Sequence, residues 1–379
     1  MFNNQRSEEN AMRSFVLRLV PVLGFVAALC CGDSHSHACT GVKLKAKDGA
    51  LVYGRTMEFG VDLLSTPIVI PRRYKMQGTA PEGKPGIAWE AKYAAVGMNA
   101  LHIDQIIEGT NEKGLAGGVF YMPEYAQYEA TTAADAPRTL APWEVISWIL
   151  TNFASVDEVR SALPGIRVAA SPAPVMNFAP PAHYVVHDIQ GRSLVIEYLQ
   201  GKLHMYDNPT GVITNAPTFD WHLTNLNNYV SLKSLNPAPS NFDGVQLRAF
   251  GQGAGLVGLP GDFTPPSRFV RAFLFGHAAL PGANGEEAAQ QLFHVLDGFD
   301  IPRGSVEEKS AGGNPIYEFT SWTTANDMTN HVFYYHTADN RRVRRIELMK
   351  LDLNGGKILR FTSRASQDYE DLKPLAAQN

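Results

Sequence analysis

The chain has 379 residues, 45% hydrophobic and 18% charged, enough for one large globular domain or two small ones. A formal net charge of −4, with no run of Lys and Arg interleaved with aromatics, argues against a nucleic-acid partner. The tightest basic group, Arg341-Arg342-Val343-Arg344-Arg345, opens a strand-like segment and reads as a solvated face.

Residues 1–38 read as an export signal. Arg13 and Arg18 supply the positive end, Leu19 through Leu29 the apolar stretch, and Ser36-His37-Ala38 places small residues at −3 and −1 of a cut before Cys39. The apolar run is short for a membrane span, so no stable anchor is expected after cleavage. The residues before Cys30, Cys31 and Cys39 do not suit lipid attachment. With Cys30 and Cys31 removed, the exported or periplasmic protein keeps one cysteine, at its new N-terminus. There one residue carries both a thiol and an α-amine that titrates near neutrality, a nucleophile with its own base.

From Gly41 the pattern alternates through Ala46. The turn Asp48-Gly49 and a second strand, Leu51 to Met57, follow, making a hairpin that brings Cys39 and Arg55 close. A strand is expected at Pro67–Ile70 and a Gly/Pro-rich loop at Gln77–Gly86. Short strands fill 94–122, broken by the turn Gly109–Gly114. Pro142–Leu150 reads as a helix with Pro at its start, and Ser155-Val156-Asp157-Glu158 caps another through Leu163. Strands fill 183–214, a helix is expected over Pro217–Tyr229, and Ser234–Pro266 is irregular. Helices at Ser267–Leu280 and Asn284–Leu296 precede strands around Ile316–Thr324, His331–Thr337 and Val343–Leu351. Antiparallel strands with helices inserted in pairs indicate an α+β layered protein.

Other chemistries find little support. His183 and His187, four apart on a strand, share a face as two legs of a metal site would, but no third ligand stands out. No metal or other cofactor is expected. Gly253-Ala254-Gly255-Leu256-Val257-Gly258 matches a dinucleotide fingerprint without the strand and helix that give it meaning. Arg268, at the start of a helix, is either exposed or faces an anion such as a thiolate. Asn215-Ala216-Pro217 reads equally as turn chemistry or as an amide donor to an oxyanion.

Taken in order, Cys39-Thr40-Gly41, Gly54-Arg55-Thr56-Met57-Glu58, Asn111-Glu112-Lys113-Gly114-Leu115, Thr214-Asn215-Ala216-Pro217-Thr218-Phe219, and Leu259-Pro260-Gly261-Asp262-Phe263-Thr264 with Ser267-Arg268-Phe269 resemble the choloylglycine hydrolase family of bile salt hydrolases and penicillin V acylases. The resemblance spans 39–379 as one domain. It implies a four-layer αββα N-terminal-nucleophile fold and hydrolysis of a linear amide. Cys39 would attack the carbonyl, flanked by Arg55 and Arg268, whose charge lowers a thiol pKa. Asn215 and the backbone N–H of Tyr121 would hold the oxyanion. Glu58 stands where the family usually has aspartate.

Tyr121 is the penicillin V acylase residue, where bile salt hydrolases carry asparagine. Together with the export signal it favours penicillin V or acyl-homoserine lactones over conjugated bile salts as substrates. Ser234–Pro266 occupies the place of an intersubunit loop, implying a possible homotetramer. The rival of another class is a non-catalytic envelope binding protein on the same fold.

Overall fold

Several central strands are apolar on both faces, which is what a sheet covered on each side requires. On Ala182–His187, Val185 packs into one hydrophobic cluster while Tyr184 and Val186 pack into another. Strand Ser193–Leu199 repeats the division, with Val195 on one side and Leu194 and Ile196 on the other. Burying each such side chain stabilises the fold by about 1.5–3 kcal/mol. The computed structural model describes residues 38–373 apart from 175, 177, 311 and 364; the expected signal, up to residue 37, lies outside the described residues.

Two antiparallel sheets lie face to face. The first has seven strands. Val212–Ile213, Cys39–Lys45, Leu51–Phe59, Pro315–Asp327, Val332–Thr337 and Arg344–Glu347 follow in that order, and Val306–Lys309 also pairs with the long fourth strand. The second has eight strands: Lys202–Asp207, Ser193–Leu199, Ala182–His187, Ala116–Tyr121, Glu108–Asn111, Ala95–Met98, Pro67–Ile70 and Leu359–Arg360. Helices Pro265–Ala278 and Gly285–Asp297 cover the outer face of the first sheet, and helix Val145–Asn152 packs on the second. The result is the layered αββα arrangement that was expected. Gly97, Gly109 and Gly117 sit opposite one another across three strands of the second sheet. A Cβ at Gly109 would lie 2.1 Å from the Val96 carbonyl oxygen, so only glycine fits there.

The structure revises several expectations. Residues 77–86 are not a loop: Lys75–Thr79 and Pro85–Glu90 form a hairpin closed by the tight turn Pro81–Gly83, with Glu82 and Gly83 at φ 62° and 70°. Gly and Pro there shape a turn between strands. The helix expected from Pro142 begins with one tighter turn and becomes α-helical at Val145. Ser155 caps the next helix as its sequence implied, accepting from the Glu158 N–H at 3.3 Å. Val306–Lys309, where no element was expected, is a strand, and Ser234–Pro266 contains a small exposed hairpin, Ser240–Phe242 with Val245–Leu247. Gly253–Gly258 lies in a turn around Ala254–Leu256 within that segment.

Polar groups interrupt the apolar layer between the sheets, Glu108 among them. Glu108 is fully buried; its Oε1 accepts from Asn326 Nδ2 at 2.6 Å, while Oε2 has no hydrogen-bond partner. Burial pushes its carboxyl up to about 7, against the opposing pull of Arg55. A folded-state value above the unfolded one means that the contribution is full below the ordinary carboxylate range and lost as pH rises through about 7. Glu108→Gln does not titrate. Its stability relative to the unsubstituted chain should therefore rise by about 3 kcal/mol between pH 4.5 and 8, measured by urea unfolding. A difference independent of pH would contradict this.

Candidate active site

Cys39 opens the second strand of the first sheet, paired with Met57, while Gly41 pairs with Arg55. Alternation puts Cys39, Met57 and Arg55 on the face toward the other sheet, and Thr40 and Glu58 on the face toward the helices. Cys39 thus sits at a strand end with functional groups on both faces. The hairpin expectation holds, with Arg55 two pairs along from Cys39 and on the same face.

Arg55 is fully buried between the sheets. Its guanidinium lies 4.0 Å from the Phe120 ring centroid and 5.6 Å from that of Trp322. It donates to the Thr56 carbonyl at 3.1 Å, to the Val119 carbonyl, and to Met57 Sδ at 3.6 Å. Met57 Sδ lies 3.9 Å from Cys39 Sγ, linking the cation to the thiol through a polarisable atom.

Arg268 approaches from the other face, on the first turn of helix Pro265–Ala278. Of the two readings left open, exposure is excluded: it has no exposed surface. It donates to the Phe263 carbonyl at 2.8 Å, the Cys39 carbonyl, Thr40 Oγ1 at 2.8 Å and Asn215 Oδ1 at 2.7 Å. Burial lowers its guanidinium to about 10, opposed by Glu58 and Cys39.

A guanidinium only donates, so the Asn215 atom facing Arg268 must be oxygen. That same Oδ1 accepts the Cys39 N–H at 2.7 Å, and Nδ2 donates to the Tyr121 carbonyl at 2.7 Å. Asn215 therefore ties together Cys39, Arg268 and Tyr121, three parts of the chain distant in sequence. His222 supports it from behind, its Nε2 donating to the Asn215 carbonyl at 2.9 Å while the ring stacks on Phe269 with centroids 4.7 Å apart.

Glu58 is 1% exposed. Its Oε1 accepts from Thr320 Oγ1 at 2.9 Å and its Oε2 has no partner. Burial pushes its carboxyl up to about 7, opposed most by Arg268. The Glu58 N–H donates to the Ala38 carbonyl at 3.1 Å, and the Ala38 N–H donates to Glu318 Oε2 at 3.3 Å. Residue 38 thus lies against the sheet end with Cys39 still in an amide bond.

All six residues named from the sequence, Cys39, Arg55, Glu58, Tyr121, Asn215 and Arg268, meet here. Met57, Thr320, Glu318 and His222 were missed. Met57 lay inside a quoted motif; the others are joined to the site only by tertiary pairing. His183 and His187 are occupied elsewhere: His183 by Glu197 Oε1 at 3.1 Å and the Thr214 carbonyl at 3.0 Å, His187 by Ser193 Oγ at 2.7 Å.

Cys39 Sγ opens into a pocket of about 770 Å³, solvent at its mouth included. Met57, Phe59, Leu101, Ile103 and Met176 line it with Gln105, Tyr121 and Trp143, and its surface is almost wholly apolar. The thiol itself departs from expectation. Its pKa is raised, because burial outweighs the lowering by Arg55 and Arg268, and Glu58 adds to the rise.

The sequence matches the family of linear amide C–N hydrolases, choloylglycine hydrolase family, over residues 39–361. A bile salt hydrolase/transferase of Clostridium perfringens is 35% identical over 84% of this chain and 95% of its own length. A penicillin V acylase of Pectobacterium atrosepticum is 26% identical over 92% of this chain and 94% of its own. The crystal structure of a mutant conjugated bile acid hydrolase from Clostridium perfringens superposes with a TM-score of 0.78 at 31% identity, covering 88% of this chain and 100% of that one.

With Ala38 still attached, the Cys39 thiol should be protonated at neutral pH. Iodoacetamide alkylation of the uncleaved chain is expected to keep accelerating above pH 9. A plateau reached below pH 8 would show that the two arginines win over burial.

Proposed function

The chain belongs to the choloylglycine hydrolase family of linear amide C–N hydrolases, and from that premise we propose that Cys39 is its nucleophile, exposed by removal of residues 1–38 during export to the periplasm or beyond. Its substrates are N-acylated amines with a large apolar acyl half. The observation that carries this reading is the thiol at the floor of an apolar pocket, with Asn215 and two buried arginines gathered around the same residue.

The chemistry follows from the atoms. Once Ala38 is gone, the Cys39 nitrogen is an α-amine beside Asn215 Oδ1, and Glu58 Oε2 offers an unused acceptor on the same side. The amine takes the thiol proton and the thiolate attacks the amide carbon. Charge on the carbonyl oxygen meets the second hydrogen of Asn215 Nδ2 and the Tyr121 N–H, each donor worth on the order of 3 kcal/mol in such a site. The tetrahedral adduct collapses, the C–N bond breaks, and the ammonium returns its proton to the departing amine. Water, deprotonated by the same amine, then cleaves the thioester and releases the acid.

Tyr121 and the apolar pocket favour penicillin V or a long-chain acyl-homoserine lactone. Conjugated bile acids form the second reading, favoured by the greater identity to a bile salt hydrolase/transferase than to a penicillin V acylase. The exposed Phe242, Val245, Leu247 and Phe250 of the 234–266 segment support assembly of copies into a homotetramer through it.

The test is a parallel assay on penicillin V, a long-chain acyl-homoserine lactone and glycocholate, with the intact mass of the active protein. Active enzyme should begin at Cys39, and Cys39→Ala should lose turnover with the fold unchanged. Activity in a chain that retains earlier residues, or in Cys39→Ala, would overturn the proposal. Failure on every amide would favour a binding protein.

A further inference from the structure

We propose that His183 and His222 are positioning residues for the Asn215 amide, with the Glu197 carboxylate as the anchor common to both. This rests on the reading of Asn215 as a donor to the oxyanion, and adds to it what holds that donor in place.

Asn215 lies just beyond strand Val212–Ile213, whose pairing with Gly41 and Val42 stops at Ile213. Thr214 and Asn215 are both buried, so their carbonyls need donors that the ladder no longer supplies. Two imidazole rings supply them. His183 Nε2 donates to the Thr214 carbonyl at 3.0 Å, and His222 Nε2 to the Asn215 carbonyl at 2.9 Å. These carbonyls stand on either side of the Asn215 Cα, so the two bonds fix the point from which its side chain leaves. Cys39, Arg268 and Tyr121 then set the amide at the far end.

A carbonyl oxygen only accepts, so each Nε2 carries a hydrogen. Burial lowers the His222 pKa to about 4, which leaves the ring neutral and its Nδ1 a lone pair with no hydrogen-bond partner. The ring lies within 12° of parallel to Phe269, on the helix that also carries Arg268.

His183 Nδ1 faces Glu197 Oε1 at 3.1 Å. With a hydrogen already on Nε2, that contact is attractive only when a further proton lies between ring and carboxylate. Imidazolium with carboxylate, or neutral ring with carboxylic acid, meets the need equally. The same Oε1 accepts the Phe219 N–H at 3.0 Å, and Phe219 opens helix Phe219–Asn225, which carries His222. One fully buried carboxylate thus places one ring directly and the other through its helix. The His183 ring also meets Phe120 edge to face, 6.1 Å between centroids, and Phe120 carries the Arg55 guanidinium on its face.

Steady-state kinetics on penicillin V, a long-chain acyl-homoserine lactone and glycocholate test this, with intact mass confirming that each variant begins at Cys39. His222→Phe keeps a ring against Phe269 and removes the donor. Its kcat should fall about tenfold or more with KM nearly unchanged, because the amide acts on charge that develops in the transition state. His222→Gln, whose amide N–H has comparable reach, should recover much of that loss. Glu197→Gln preserves size but cannot share the proton of His183, and should lower kcat in the same way. In an Asn215→Ala background neither His222→Phe nor Glu197→Gln should lower kcat further, whereas damage spread through the fold would add. Additive losses, or kcat unmoved in both single variants, would overturn the positioning role and leave the hydrolase reading standing. If His222→Phe does not fold, Glu197→Gln decides between the same outcomes. Wild-type inactivity on all three substrates would overturn both readings.

Discussion

Two guanidinium groups without access to water, one on each face of the same sheet end, are the constraint around which the rest is arranged. A buried cation is costly unless every donor finds an acceptor. Arg268 finds carbonyls, a threonine and Asn215; Arg55 finds two carbonyls, a thioether and the face of Phe120. Satisfying them fixes the positions of Cys39, Thr40, Asn215 and Val119. Those residues come from two sheets and a connecting turn. The demands of two buried charges therefore draw the site together.

The carboxylates answer to the same economy of charge. Glu58 and Glu108 are both buried, both pushed up to about 7, and both feel Arg55 from different sides. Each keeps one oxygen bonded and the other without a partner. Glu58 lies on the helix side of the sheet, bonded to Thr320; Glu108 lies between the sheets, bonded to Asn326. Similar shifts thus arise in a group on the helix side of the sheet and in one placed between the sheets, near an arginine. Position, more than titration behaviour, separates their roles.

Much of this was legible in the residues. Cys39, Arg55, Glu58, Tyr121, Asn215 and Arg268 stand in ordered motifs, and the hairpin that joins Cys39 to Arg55 is written in local alternation around Asp48-Gly49. Helix Val156–Ala162 was legible because a cap is a local contact. What escaped depends on distance along the chain. Thr320 and Glu318 reach Glu58 and Ala38 across more than 260 residues, and no local pattern announces such pairing. The burial of Arg268 escaped too, since a helix start disfavours a cation on local grounds and only the packed neighbours reverse that. The two arginines do pull the thiol pKa down as their motifs implied, but proximity in a motif carries no sign of the lost solvation that raises it in the uncleaved chain.

The hydrogen bond from the Glu58 N–H to the Ala38 carbonyl makes residue 38 one more rung at the end of the first sheet. An amide nitrogen is no base, so a chain held in this state lacks the group that would activate its own thiol. Under the proposed function the precursor is a zymogen, folded around a finished but silent site. The acyl pools of the compartment where the chain is made are then out of its reach. Activity begins with the loss of a single rung, and the sheet needs no rearrangement to supply it.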